Sequence, residues 1–126
     1  MKRSWLEYLW TNHGRISRKS FAAFQLVFLP LWFGAIWSAI VVYEGKPPVK
    51  MVALAALVLV PLFFANINIW VKRLHDRNYS GLALLSSIIP VAGILWLVIQ
   101  GFVLRGPGSG NRFGAPGSGE GYAPNK

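Results

Sequence analysis

Apolar residues run unbroken by charge through three long stretches of this chain, 20–43, 51–71 and 78–104, while the charged residues gather in the short segments between and beside them. A bilayer's hydrocarbon core of about 30 Å needs about 20 helical residues, so each stretch is long enough to cross it. The pattern predicts an all-α, polytopic membrane protein with three transmembrane segments at about 20–43, 51–71 and 81–104, forming one membrane domain. A basic segment, 1–19, precedes it. A tail, 105–126, is rich in Gly, Pro and Ser and reads as a flexible extension.

Local signals refine this outline. Ser4-Trp5-Leu6-Glu7 matches a capping box, and the aromatic and aliphatic residues that follow suit a short helix lying in the headgroup region. Asn12-His13-Gly14 is a helix stop, and Ser17 a helix N-cap. Pro30 and Pro61 fall within the first and second spans, and Pro47-Pro48 marks a tight turn between them. Gly34/Ser38 and Ala35/Ala39 are small-residue pairs that permit close helix approach. Asn66 and Asn68 are intramembrane polar residues; interhelical hydrogen bonding is the first expectation for them, a polar cavity lining the second. Trp70 and Tyr79 are placed as interface anchors.

The last stretch admits two arrangements. Pro90-Val91-Ala92-Gly93 sits in its middle and can break it into two half-length helices forming a re-entrant hairpin. A simple span ranks ahead, because Pro and Gly are ordinary within membrane helices. The charges favour the hairpin. With the N-terminus cytoplasmic, three full spans leave eight Lys/Arg inside and five outside; a hairpin leaves eleven inside and only Lys46 and Lys50 outside.

Composition agrees with a membrane protein: 54% of residues are hydrophobic and 13% charged, about half the charged share of a soluble domain. The absence of cysteine excludes disulfides and thiolate chemistry. A net charge of +9 would suggest nucleic acid in a soluble protein; here cationic loops that hold topology explain it, and no nucleic-acid partner is expected. The densest chemistry is Lys72-Arg73-Leu74-His75-Asp76-Arg77. If the second span continues helically, Arg73 and Arg77 share a face and Asp76 neighbours Lys72 and Arg73, orienting a guanidinium rather than acting as an acid. Ser80 is then the cap of the last helix, and Gly81 leaves room for a close backbone. His75, Asp76 and Ser80 lie too close in sequence to face one another on one helix, so no enzyme activity, metal or cofactor is expected.

Three motifs resemble the DUF805 family of small bacterial inner-membrane proteins: Gly14-Arg15-Ile16-Ser17-Arg18-Lys19, Arg73-Leu74-His75-Asp76-Arg77 with Ser80-Gly81, and Gly110-Asn111-Arg112-Phe113-Gly114. Ile89-Pro90 and Gly93 resemble the family pattern as well. The chain departs from it at Ser20, where the family often has Glu, and at Leu82-Ala83, where aromatics are common. The resemblance implies a cytoplasmic (inner) membrane location and no known activity. Arg15, Arg18, Lys19, Lys72, Arg73, Asp76, Arg77, Asn111 and Arg112 form the candidate set for anionic lipid or a partner. The expected role is an accessory or interaction subunit that binds the phospholipid bilayer, its anionic lipids and a larger membrane complex or further copies of itself. The alternative is a small transporter or channel-like oligomer.

Overall fold

A computed structural model of the protein describes residues 5–118. Among them every named element is a helix, with one isolated bridge between Asn111 and Gly114 and no named strand. The capping box expected between Ser4 and Glu7, and the tail beyond residue 118, lie outside the described residues and side chains.

The helices are α1 (Trp5–Trp10), α2 (Arg18–Val41) and α3 (Val49–Asp76), followed by a 3-10 helix (Gly81–Ile88) and α4 (Ala92–Val98), which runs on as a π-helical turn (Ile99–Val103). Ser17 starts α2 as its sequence position predicts, its hydroxyl accepting from the Ser20 amide. Six residues are too few to hold a helix alone. α1 is fixed to α3 instead: Asn68 Nδ2 donates to the Leu9 carbonyl at 3.0 Å and Lys72 Nζ donates to the Tyr8 carbonyl.

α2 and α3 are both long and apolar enough to cross a membrane. Their 24 and 28 residues span about 36 and 42 Å at 1.5 Å per residue. Only 11% of the apolar window of each is buried, whereas a core helix of a soluble protein would be mostly covered. Side chains such as Leu26, Trp37, Leu57 and Val58 stand outward, an apolar surface of the kind that lipid or another protein covers.

The core lies at one end. Ile16, Phe21 and Ile69 are fully buried, with Tyr8, Phe24, Trp70 and Phe102 packed around them. The Phe21 ring meets Trp70 edge-on at 4.6 Å and Phe102 at 5.0 Å. Trp70, expected as an interface anchor, is therefore a packing residue; Tyr79 stays partly exposed against Trp96. Lower down, Gln25 Nε2 donates to Asn66 Oδ1 at 2.7 Å across α2 and α3. At the far end the two helices part. Gly34 faces open space, and Ala35, Ser38 and Ala39 line an apolar groove of about 410 Å³ opposite Ala55 and Ala56. The close approach expected from the small-residue pairs does not form, because small residues on both walls leave that space unfilled.

The continuous third helix expected over 81–104 does not form either. The segment doubles back at Pro90-Val91. A 3-10 arm of eight residues rises about 16 Å at 2.0 Å per residue. The return arm, Ala92–Val103, rises about 18 Å. The reversal is a γ-turn: the Ala92 amide donates to the Pro90 carbonyl at 2.7 Å, with Val91 at φ 62° and ψ −68°. That backbone is strained for a β-branched residue. Gly93 makes the turn possible, since a Cβ there would stand 1.7 Å from the Ser86 carbonyl oxygen. Both arms end beside α3, with Gly81 against Val71 and Gly101 against Trp70 and Phe21. Ser80 occupies the N-cap position of the first arm, but its hydroxyl makes no cap bond; its carbonyl accepts from the Ala83 amide instead.

Candidate functional site

The doubled-back segment returns the chain to the end of α3, where three stretches meet: 14–17, the last turn of α3, and 101–118. Asp76 is at the centre. It is 5% exposed, while Arg15 and Arg73 beside it are fully buried. Arg15 Nε donates to Asp76 Oδ1 at 3.0 Å, and its Nη2 lies 2.9 Å from the same oxygen. Arg73 Nη1 donates to Asp76 Oδ2 at 2.5 Å. The carboxylate thus bridges two guanidinium groups from opposite parts of the chain. The expected partner Lys72 is turned away, its ammonium over the Tyr8 ring at 5.0 Å. On one helix face the carboxylate reaches Arg73 at i−3, and the second cation comes from the N-terminal segment.

The remaining donors of these arginines hold backbone carbonyls. Arg15 Nη2 donates to Pro107 O at 2.7 Å, and Nη1 to Ser109 O at 2.8 Å and Gly114 O at 3.1 Å. Arg73 Nε donates to Gly101 O at 2.9 Å, Nη1 also to Ile16 O, and Nη2 to Leu104 O. Arg18 Nη1 donates to Val103 O at 2.9 Å, and Arg77 Nη1 to Arg105 O at 2.6 Å. The carbonyls of a helix's last turn lack intrahelical donors, so arginines cap the return arm. A planar fork with several fixed donors does this; an ammonium offers only one point of attachment. The buried charge is compensated partly by Asp76 and partly by these carbonyl dipoles.

The first part of the tail read as a flexible extension, 105–118, lies against the end of α3 and the 14–17 stretch. Gly106 shows how tightly it lies: a Cβ there would stand 2.0 Å from Asp76 Oδ2. Asn111 Nδ2 donates to the His75 carbonyl at 2.9 Å, and its Oδ1 accepts from the Phe113 amide. Phe113 then stacks on the His75 ring at 3.9 Å with 5° between planes. His75 Nδ1 faces the Gly14 carbonyl oxygen at 3.0 Å and so carries the proton. Adjacent in sequence, His75 and Asp76 serve different partners and do not form an acid–base pair. Arg112 donates to Asn78 O at 3.0 Å and is otherwise exposed.

Of the residues singled out from sequence, Arg15, Arg73, Asp76, Arg77 and Asn111 are thus brought into one knot, with Lys72 of α3 beside it reaching Tyr8 of α1 and Arg18, Lys19 and Arg112 at its margin. Arg15 and Arg73 are buried with their donors aimed at protein oxygens, so they present no free surface to a headgroup. Asn66 and Asn68 stand apart, linking α3 to α2 and α1. Three polar participants escaped sequence reasoning. Gln25 pairs with Asn66, and buried Gln100 accepts from Arg77 Nε at 3.0 Å; a lone glutamine in an apolar run was the signal for each. Arg105 borders a cleft discussed below, and only the turn of the last segment brings it there.

The family model for "Protein of unknown function (DUF805)" matches residues 9–115, a range that takes in every element of the knot up to the Asn111–Gly114 turn. No curated protein and no solved structure matches the chain.

Proposed function

The chain belongs to the DUF805 family, and on that premise we propose that it is a multi-pass protein of the bacterial inner membrane that works by binding rather than by chemistry, as an accessory subunit of a larger membrane assembly. In this reading α2 and α3 cross the bilayer, α1 lies in the headgroup layer, and the segment 81–104 enters and leaves on one side. Each arm's length, about 16–18 Å, is half the hydrocarbon thickness. The N-terminus and the residues up to 118 then share the cytoplasmic side, with Lys46 and Lys50 alone outside among the described cations. A turn at membrane depth must be covered by protein, and neighbouring subunits are the natural cover for the exposed Ile88, Ile89 and Val91.

One observation carries the proposal. Arg15, Arg73, Asp76 and Asn111, one or more from each of the three motifs, are turned inward on one another and on backbone carbonyls, which makes the motifs a clasp that shapes the membrane domain, while the apolar flanks of α2 and α3 stay bare. Reporter fusions at each end test the topology. Green fluorescent protein should fluoresce at both termini, and alkaline phosphatase should be inactive at both; phosphatase activity at the C-terminus overturns it. For the role itself, purification from native membranes should yield one larger complex at constant stoichiometry. Solute flux through liposomes that is abolished by changes at Asn66 or Asn68 would establish the transporter alternative instead.

A further inference from the structure

A cleft of about 310 Å³ opens beside the knot, between the start of α2 and the first residues after the return arm. Ser17, Arg18, Lys19, Arg105 and Gly106 line it, with Asp76 at its floor. Three cations from two distant parts of the chain converge here. Lys19 and Arg105 are exposed, and their charged ends meet no partner among the described residues. Arg18 has one donor committed to Val103 O. The first-turn amides of Arg18 and Lys19 have no intrahelical acceptor. Asp76 does not neutralise this wall, because its two oxygens already serve Arg15 and Arg73.

From this convergence we infer that the cleft is a binding site for a phosphate monoester or diester, with Lys19 and Arg105 as its outer clamps and Arg18 as its inner one. The inference rests on the proposed membrane placement for its source of ligand. The cleft sits where the apolar run of α2 begins, at Phe21, and where the return arm ends, at Leu104. That is the level of lipid headgroups, and exposed Leu26 and Val103 below it give acyl chains an apolar surface. A phosphodiester entering there meets an ammonium, two guanidinium groups and a helix start, the donor set that suits tetrahedral oxyanions.

The test uses the full chain in nanodiscs of phosphatidylcholine doped with fluorescent phosphatidylglycerol, read by energy transfer from the protein's tryptophans. The variant K19Q/R105Q leaves the Arg15–Asp76–Arg73 clasp intact, and chymotryptic resistance at Phe113 checks that it has folded. It should weaken phosphatidylglycerol retention roughly tenfold, and K19R/R105K should restore most of it. The charge-matched control K46Q/K50Q should change retention less than about twofold. Equal losses in the two pairs would reduce the effect to bulk attraction and overturn the site, as would no loss in K19Q/R105Q. Inorganic phosphate, titrated against the labelled lipid, identifies the source: displacement at millimolar phosphate assigns the cleft to free phosphate, and resistance assigns it to the lipid headgroup. The assay does not use the C-terminal topology, so failure of the reporter experiment and failure of this one are separate results.

Discussion

Replacing Asp76 by Asn removes the one negative charge between two fully buried guanidinium groups. Asparagine keeps the shape and one acceptor oxygen but presents two N–H donors to groups that are donors themselves. Removing one partner of a buried ion pair costs about 3–5 kcal/mol, most of it the burden of the charge left behind. The tail carbonyls of Pro107, Ser109 and Gly114 still accept from Arg15, which puts the expected loss near the lower bound, about 3 kcal/mol. At 1.4 kcal/mol per decade that raises the open population of the tail more than about a hundredfold. Chymotrypsin cleavage after Phe113, whose ring is stacked on His75, reports that population when opening is fast relative to cutting. Purified D76N should be cut about two decades faster than the parent protein at equal protease. In R15Q/D76N one of the two orphaned cations is also gone, so the double variant should be less damaged than the sum of the singles by about 1–3 kcal/mol. Parental cleavage rates in D76N, or strict additivity in the cycle, would show that Asp76 does not hold the tail.

The turn of the doubled-back segment gives a pair of opposite outcomes. G93A places a methyl against the Ser86 carbonyl and should open the two arms, seen as a lengthened distance between spin labels at the exposed positions Leu82 and Ile99 in nanodiscs, whereas V91G relieves a positive φ and should raise thermal stability by about 1 kcal/mol. Across α2 and α3, Q25L or N66L alone strands a polar group away from water and should cost about 1–3 kcal/mol in denaturant unfolding, while Q25L/N66L should recover most of it because neither partner remains unsatisfied.

The two long helices were legible because nothing competes with a charge-free run of that length. α2 and α3 begin within two residues of the expected spans, and α3 runs five residues past its apolar stretch to Asp76. That continuation was conditional in the sequence, and it is what places Arg73, Asp76 and Arg77 on one turn. The third run was misjudged in its favoured form: Pro90 and Gly93 are compatible with a straight span and with a reversal, and only packing against Val71, Trp70 and Phe21 decides between them. The clasp was half legible. Motifs and charge placement marked Arg15, Arg73, Asp76 and Arg77 as related, yet the arginines' other acceptors are mostly main-chain oxygens, which every residue carries and no sequence pattern advertises. For the same reason the Gly- and Pro-rich stretch 106–110 carried no signal of its contacts, although the missing side chain of Gly106 is what lets its backbone lie against Asp76.

The clasp joins residues far apart in the chain: the Arg15 amide donates to Ser118 Oγ, 103 positions away. During synthesis, then, the Arg15 guanidinium can meet Asp76 before its carbonyl acceptors at Pro107, Ser109 and Gly114 are made. α2 and α3 are complete before the third run is made, and its return arm is held where Arg18 and Arg73 meet its last carbonyls. A nascent chain halted before residue 105 would keep the Arg15–Asp76–Arg73 ion pairs and lack the Pro107, Ser109 and Gly114 carbonyls that fill the other donors of Arg15.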